Sequence, residues 1–298
     1  MLRKIKRSRG EIAFSIFNYA FVTLVCLTCL LPILNTLAIS FSSPVQVSTG
    51  KVYFIPKEFT LMSYQFAMSN GKFFQAFRVS ILRCVLGVSL NLFCMVTTAY
   101  PLSKTTDRFG ARNIYMVFYV IVMLFGGGLI PWYILMSNLG LLNSIWALVL
   151  PLSVPVYNMV ILMNFMRNIP VEMEEAAMID GAGYFRILFT IYLPVLTPAL
   201  STVGLFSFVY HWNDWFSGSL FMKSPSKYPL QTYLQTLLLN FRDLLRLSGS
   251  DYYQLLQRMN EQTGRAAQLF MGLLPTLVVY PFLQKYFTRG LVMGSVKG

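Results

Sequence analysis

Residues 113–166 read NIYMVFYVIVMLFGGGLIPWYILMSNLGLLNSIWALVLPLSVPVYNMVILMNFM, and no charged side chain interrupts them. A helix needs about 20 mostly apolar residues to cross the hydrocarbon layer of a membrane. This stretch holds two such helices, divided at Ser137-Asn138-Leu139-Gly140, a cluster of turn formers. The same test applied outward finds further charge-free runs at Ile12–Gly50, Cys84–Ser103, Ile187–Asn213 and Ala266–Gln284. The expectation is an all-α integral membrane chain forming one polytopic domain over 1–298. Its six spans are expected at about 13–40, 82–103, 114–136, 142–166, 188–217 and 266–286.

Composition agrees with that reading. Hydrophobic residues make up 56% of the 298 residues and charged residues 12%, and the mean hydropathy is +0.58. A soluble domain carries about 25% charge, so this chain cannot clothe itself in water. Disorder is excluded too, because 25 Phe, 17 Tyr and 16 Met are the opposite of a disordered composition. Lys and Arg number 24 against 11 Asp and Glu, a net +13. The basic residues sit in short clusters between apolar runs, which makes them orientation signals rather than a nucleic-acid surface.

Several chemistries are bounded by absence. His211 is the one histidine, and no G-x-x-x-x-G-K-[ST] sequence occurs to hold ATP phosphates. Cys26, Cys29, Cys84 and Cys94 all lie in apolar runs, where cysteine behaves as a small buried hydrophobe. Gly126-Gly127-Gly128 reads as small residues for close helix packing. No metal, cofactor or catalytic group is expected in this chain.

Orientation follows from the short loops, which dominate the positive-inside rule. Arg3, Lys4, Lys6, Arg7 and Arg9 precede a first apolar run too long for the apolar core of a signal peptide, so a retained helix with an inside N-terminus is expected. The loop carrying Lys104, Arg108 and Arg112, the segment 167–187, and the tail with Lys285, Arg289 and Lys297 then fall inside. Residues 41–80, 137–141 and 218–265 fall outside, and both termini are cytoplasmic.

The inside segment Arg167-Asn168-Ile169-Pro170-Val171-Glu172-Met173-Glu174-Glu175-Ala176-Ala177-Met178-Ile179-Asp180-Gly181-Ala182-Gly183 differs from the other loops. Pro170 suits the first position of a helix. Glu172, Glu174 and Glu175 then place negative charge where a helix N-terminus favours it, and Gly181 and Gly183 end or bend the helix. Two readings fit: a short cytoplasmic helix that docks on a partner, or a solvated loop kept in water by its glutamates.

A resemblance favours the first. Glu175-Ala176-Ala177, then Gly181, Ile191 and Leu193-Pro194, resembles the EAA signature of permease subunits in binding-protein-dependent ABC importers. Ala99-Tyr100-Pro101-Leu102-Ser103, Gly127-Gly128-Leu129-Ile130-Pro131, Leu139-Gly140-Leu141-Leu142-Asn143, Trp212-Asn213-Asp214-Trp215 and Tyr228-Pro229-Leu230-Gln231 look like the carbohydrate branch of that family, its LplC/MalG-like group. The resemblance covers nearly the whole chain. It implies an oligosaccharide importer in a bacterial cytoplasmic membrane. This chain would pair with a second six-span permease as a heterodimer. Two cytoplasmic ATPase subunits would bind ATP and Mg, and an extracytoplasmic binding protein would deliver the sugar. It further implies that Glu175, Ala176, Ala177, Asp180 and Gly181 form a coupling helix docked on an ATPase. The tail Val296-Lys297-Gly298 would reach toward the ATPase interface.

Ionisable groups near the spans are few. Trp212, Asn213, Asp214 and Trp215 either line a sugar pathway, stacking on rings and bonding hydroxyls, or form an interfacial belt that packs helices. Arg83 is expected to snorkel to the outer surface, and His211 to be a structural or pathway polar group. Leu230–Leu239 has a helical period and either lies on the outer surface to dock the binding protein or packs on its own spans. An ABC importer for a non-sugar solute shares the EAA helix and stays open as an alternative. A self-contained channel or secondary carrier would have to work through Asp214, His211 and Arg83 alone.

Overall fold

The computed structural model describes residues 8–68, 71–239 and 261–295. In chain order the helices are α1 (Arg9–Ser40), α2 (Pro44–Ser48), α3 (Met62–Met68), α4 (Lys72–Ser103), α5 (Arg112–Leu124), α6 (Leu129–Asn138), α7 (Trp146–Val149) and α8 (Val156–Arg167). They continue as α9 (Val171–Ile179), α10 (Tyr184–Ile187), α11 (Leu193–Val195), α12 (Thr197–Asn213), α13 (Phe216–Phe221), α14 (Leu230–Leu239) and α15 (Glu261–Ser295). No strand occurs among the described residues.

Among the described residues, two helices, α1 and α4, are by themselves long and apolar enough to cross a membrane. Three bent pairs reach that length and apolarity together: α5 with α6 at 112°, Trp146–Leu152 with α8 at 49°, and Tyr184–Val195 with α12 at 83°. Each pair lies across a stretch whose sequence reads as one span. The breaks have local causes. Pro155 caps α8, with a non-helical ψ of 97°, and a proline cannot donate the bond that would carry the helix through. Between α5 and α6 the glycines break the helix instead of packing it. Gly128 has φ +84°, and a Cβ built on Gly126, Gly127 or Gly128 would meet nothing within 4 Å. Within this chain no neighbour approaches the triplet, contrary to the close-packing expectation, and its backbone freedom is what the break uses.

The chain divides into two groups of segments, residues 1–70 with 238–271, and residues 71–237 with 272–298. In the first, Ser8 opens α1 through a capping box with Glu11. Along α1 only Ala38 and Ser40 are buried, and Cys26 and Cys29 are exposed. The expectation of buried cysteines fails there, because apolarity along a sequence does not separate a protein-facing from a lipid-facing position. After α1, Phe41 stacks on Phe59 and Tyr64, and Glu58 accepts hydrogen bonds from Ser43 and Gln46.

The second group holds the larger core. Met95, Ala99 and Leu102 of α4, Met159, Leu162 and Met166 of α8, and Ala199 and Val203 of α12 are all buried together. Large flexible Met and Leu side chains face small Ala positions, which lets three helices pack closely. Helix α14 packs on its own chain. Leu230 N donates to Ser80 Oγ at 2.7 Å and Thr232 Oγ1 to the Trp215 carbonyl at 2.8 Å, and Leu230, Tyr233 and Leu234 are buried.

Candidate functional site

The segment after α8 folds as its residue types dictate. Pro170, in extended backbone, is the N-cap rather than the first helical residue, so α9 begins one position later, at Val171. Glu172 and Glu174 lie in its first turn. At the other end Gly181, with φ +79°, stands just past the cap Asp180. Ala182 N donates to the Ala177 carbonyl at 2.9 Å and Gly181 N to that of Met178 at 3.0 Å. That pair of bonds is a Schellman motif, which satisfies the last carbonyls and requires a left-handed residue at the position Gly181 fills. The chain re-enters through α10 and a π-helical turn, Leu188–Tyr192, whose extra residue lies next to the site, as such turns often do.

Tyr192 closes a buried clamp. Its hydroxyl donates to Glu174 Oε2 at 2.7 Å. Lys104 Nζ, just past the end of α4, donates to the same oxygen at 2.5 Å and to Tyr192 Oη at 2.9 Å. The ammonium also sits 4.1 Å from the Tyr100 ring centroid and 4.3 Å from that of Tyr192, within cation–π range. Glu174 is 2% exposed. Burial pushes its carboxyl pKa upward, but the bonds from Lys104 and Tyr192 and the charges of Lys104 and Arg108 outweigh that and hold it below the usual carboxylate range. Arg108 adds an ion pair to Glu174 Oε1 at 3.4 Å. One carboxylate of α9 is thus tied to the ends of two helices from elsewhere in the chain.

The outer face of α9 is different. Glu175 is exposed and pairs with Arg108 at 2.8 Å, itself partly exposed. Ala176, Asp180 and Gly181 are exposed as well. Ala177 is half-buried and, with Met178 and Ala182, packs inward against the α4–α8–α12 core. Ile179 and Phe185 stand out from the surface, 86% and 76% exposed. Val296, Lys297 and Gly298 lie outside the described residues.

A second polar cluster lies on the other half of α4. Arg83 does not snorkel: it is 1% exposed. It donates through Nη1 to the Asp214 carbonyl at 2.8 Å and through Nη2 to Asp214 Oδ2 at 2.5 Å. Asp214 Oδ1 also accepts from Ser217 N at 3.1 Å. The expectation failed because the acid that holds Arg83 stands 131 residues away. His211 is buried, 3.3 Å from Asn91, and a Cβ on Gly87 would overlap its ring. Trp212 is 1% exposed, bonds the Gly272 carbonyl at 2.9 Å and packs against Phe77 and Phe208. Asn213 and Trp215 remain exposed.

The geometry, an apolar helical chain with a short anchored helix between bent helix pairs, has a match in known proteins. Residues 96–293 match the profile of the binding-protein-dependent transport system inner membrane component. The chain belongs to that family. Its relatives extend over the whole permease. The polygalacturonan/rhamnogalacturonan transport system permease protein YtcP of Bacillus subtilis is 36% identical, covering 96% of this chain and 98% of that protein. The LplC protein of the same organism is 36% identical over 96% and 95%. Among solved structures, a chain of a bacterial ABC transporter involved in the import of the acidic polysaccharide alginate superposes with a TM-score of 0.83 at 29% identity. It covers 95% of this chain and 100% of that one. The permease is therefore an inner-membrane component of an ABC importer, and the channel and carrier readings fall away.

Glu174, Lys104 and Tyr192 were not singled out by sequence. Glu174 was visible as an acid in the first turn of a helix and Lys104 as an orientation charge. Their pairing spans 70 positions and leaves no local signal.

Proposed function

We propose that this chain is one of two six-span permeases, arranged as a heterodimer, that move an oligosaccharide from an extracytoplasmic binding protein into the cytoplasm by alternating access. Both termini lie in the cytoplasm, and the spans are those read from the sequence. Sugar is the cargo because the relatives' names point that way. They include YtcP, a galactooligosaccharide permease and an arabinooligosaccharide permease. Two cytoplasmic ATPase subunits hold ATP and Mg, and this chain needs no cofactor of its own.

The observation that carries the proposal is the two-sided build of α9. A ligand-driven change needs an element that interacts differently with the two states. Here Glu174 fixes the helix to the membrane helices through a buried, multiply bonded contact, while Glu175 offers an exposed pair of little intrinsic strength. Force applied by an ATPase at the outer face would therefore move α4 and the Tyr192 turn with the helix. Glu175, Ala176, Asp180 and Gly181 are the docking face, Ala177 seats the helix on the core, and Val296, Lys297 and Gly298 extend the ATPase contact. Asn213 and Trp215 are the members of the 212–215 cluster open to a pathway.

Purification of the assembled transporter and reconstitution with its binding protein test this reading. Glu175→Lys and Gly181→Trp are expected to leave membrane insertion intact and to abolish ATP hydrolysis stimulated by the sugar-loaded binding protein. Uronate oligosaccharides are the first cargo to try. Undiminished stimulation in both variants would sink the coupling assignment. Isolation of a lone homo-oligomer would sink the heterodimer.

A further inference from the structure

Beside the clamp lies a cavity of about 540 Å³ whose charge the coupling role does not explain. Lys104, Arg108, Arg112 and Arg167 line it, against the single carboxylate of Glu174. Lys104, Arg112 and Arg167 stand at the ends of α4, α5 and α8, and Arg108 in the loop between α4 and α5. Two of them crowd one acceptor: Arg112 Nε donates to the Leu102 carbonyl at 3.0 Å and Arg167 Nη2 to the same oxygen at 3.3 Å. Burial and then the Arg112 charge draw the Arg167 pKa below its usual value. Two guanidinium groups converging at a membrane-proximal level match the oxygens of a phosphate diester.

A second cavity, about 550 Å³, shares Lys104 and Arg108 with the first and is otherwise mostly apolar, with Phe93, Pro101, Phe185 and Leu188 among its walls beside Thr97, Tyr100 and Tyr184. From Phe93 to Lys104 the wall runs roughly 16 Å along α4, close to the ~15 Å depth of one hydrocarbon leaflet. An anionic head and an apolar tail both find their place across the shared lysine and arginine.

We propose that these two neighbouring cavities together bind an anionic phospholipid, its phosphate between Arg112 and Arg167 and one acyl chain along the Phe93–Leu188 wall, passing over the shared Lys104 and Arg108. The inference rests on the inside placement of the 103–112 and 167–187 loops and not on how the ATPase couples. Basic pockets between membrane helices on the cytoplasmic side take anionic head groups by the same electrostatics.

The test is native mass spectrometry of the purified, delipidated transporter after addition of phosphatidylglycerol or phosphatidylcholine, read without nucleotide. Wild-type transporter is expected to retain phosphatidylglycerol at least tenfold better than phosphatidylcholine. Arg112→Gln with Arg167→Gln together should erase the preference, and Arg78→Gln, an exposed arginine elsewhere, should not. Equal retention of the two lipids by wild type, or an unchanged preference in the double variant, overturns the proposal. Displacement of the lipid by millimolar inorganic phosphate also overturns it, since that would make this a soluble-anion site. Should the double glutamine variant fail to assemble, the wild-type comparison of the two lipids decides alone. Because no ATP is present, loss of lipid preference and loss of coupling are read separately.

Discussion

At the scale of single residues the clamp gives the sharpest expectations. Removing one partner of a buried ion pair strands the other charge and costs about 3–5 kcal/mol. Glu174→Ala or Lys104→Met should therefore lower the melting temperature of the solubilised protein by about 10 °C. The double variant should cost clearly less than the sum, because no charge is left stranded, and strict additivity would contradict the pair. The pH dependence has a definite sign. The Glu174 carboxyl is depressed below its ordinary value near 4.5, so its stabilisation is full above that value and is lost as pH falls through the depressed one. The gap in melting temperature between wild type and Glu174→Gln should be constant near neutrality and close as the pH drops below about 4.5. A gap that persists in acid would show that the charge does not matter. None of this was visible in the sequence, where Glu174 and Glu175 are adjacent and alike. On a helix consecutive residues point about 100° apart, so one is hidden and the other bare, and only the packing says which.

The elements were more legible than their contacts. The start expected at Pro170 lies within one residue of the observed start of α9, and Gly181, one of the two glycines expected to end or bend it, stands just past its cap, because both act through local backbone geometry that neighbours do not override. The bends were not legible in the same way. A triplet of glycines suits a packing seam and a helix break equally, and only the empty space around Gly126–Gly128 decides between them. Gly181 makes the point testable. A Cβ there would touch nothing within 4 Å, yet φ is +79°. Any loss on substitution by alanine is then conformational, about 1 kcal/mol, and asparagine, which tolerates the left-handed region, should do better than alanine. Sugar-stimulated ATP hydrolysis should rank glycine, asparagine, alanine, then valine, whose branched side chain is least at ease at positive φ. A ranking by side-chain size alone would mean that crowding, not backbone, governs the position.

For the whole molecule, the apolar runs announced a membrane chain, while the lateral face of each helix stayed hidden until packing was known. The cysteines offer a direct reading of those faces. Cys26 and Cys29 are exposed on α1 and Cys84 is buried in α4. A hydrophobic maleimide should label the solubilised chain at Cys26 and Cys29 at least tenfold faster than at Cys84, and Cys26→Ser with Cys29→Ser should remove the fast phase. Equal rates would mean that α1 packs far more tightly than described. The Arg83–Asp214 pair carries a different consequence, for the order in which the protein is made. Ribosomes add about 5–20 residues per second, and 131 positions separate the two partners. Arg83 therefore waits on the order of ten seconds in the insertion machinery before its acid is synthesised. A guanidinium at mid-bilayer costs about 3 kcal/mol, and less near the edge, so α4 is expected to be held weakly through that interval. A nascent chain interrupted before Asp214 lacks the acid that answers Arg83, so truncations on either side of that residue should differ in how firmly α4 is retained in the membrane.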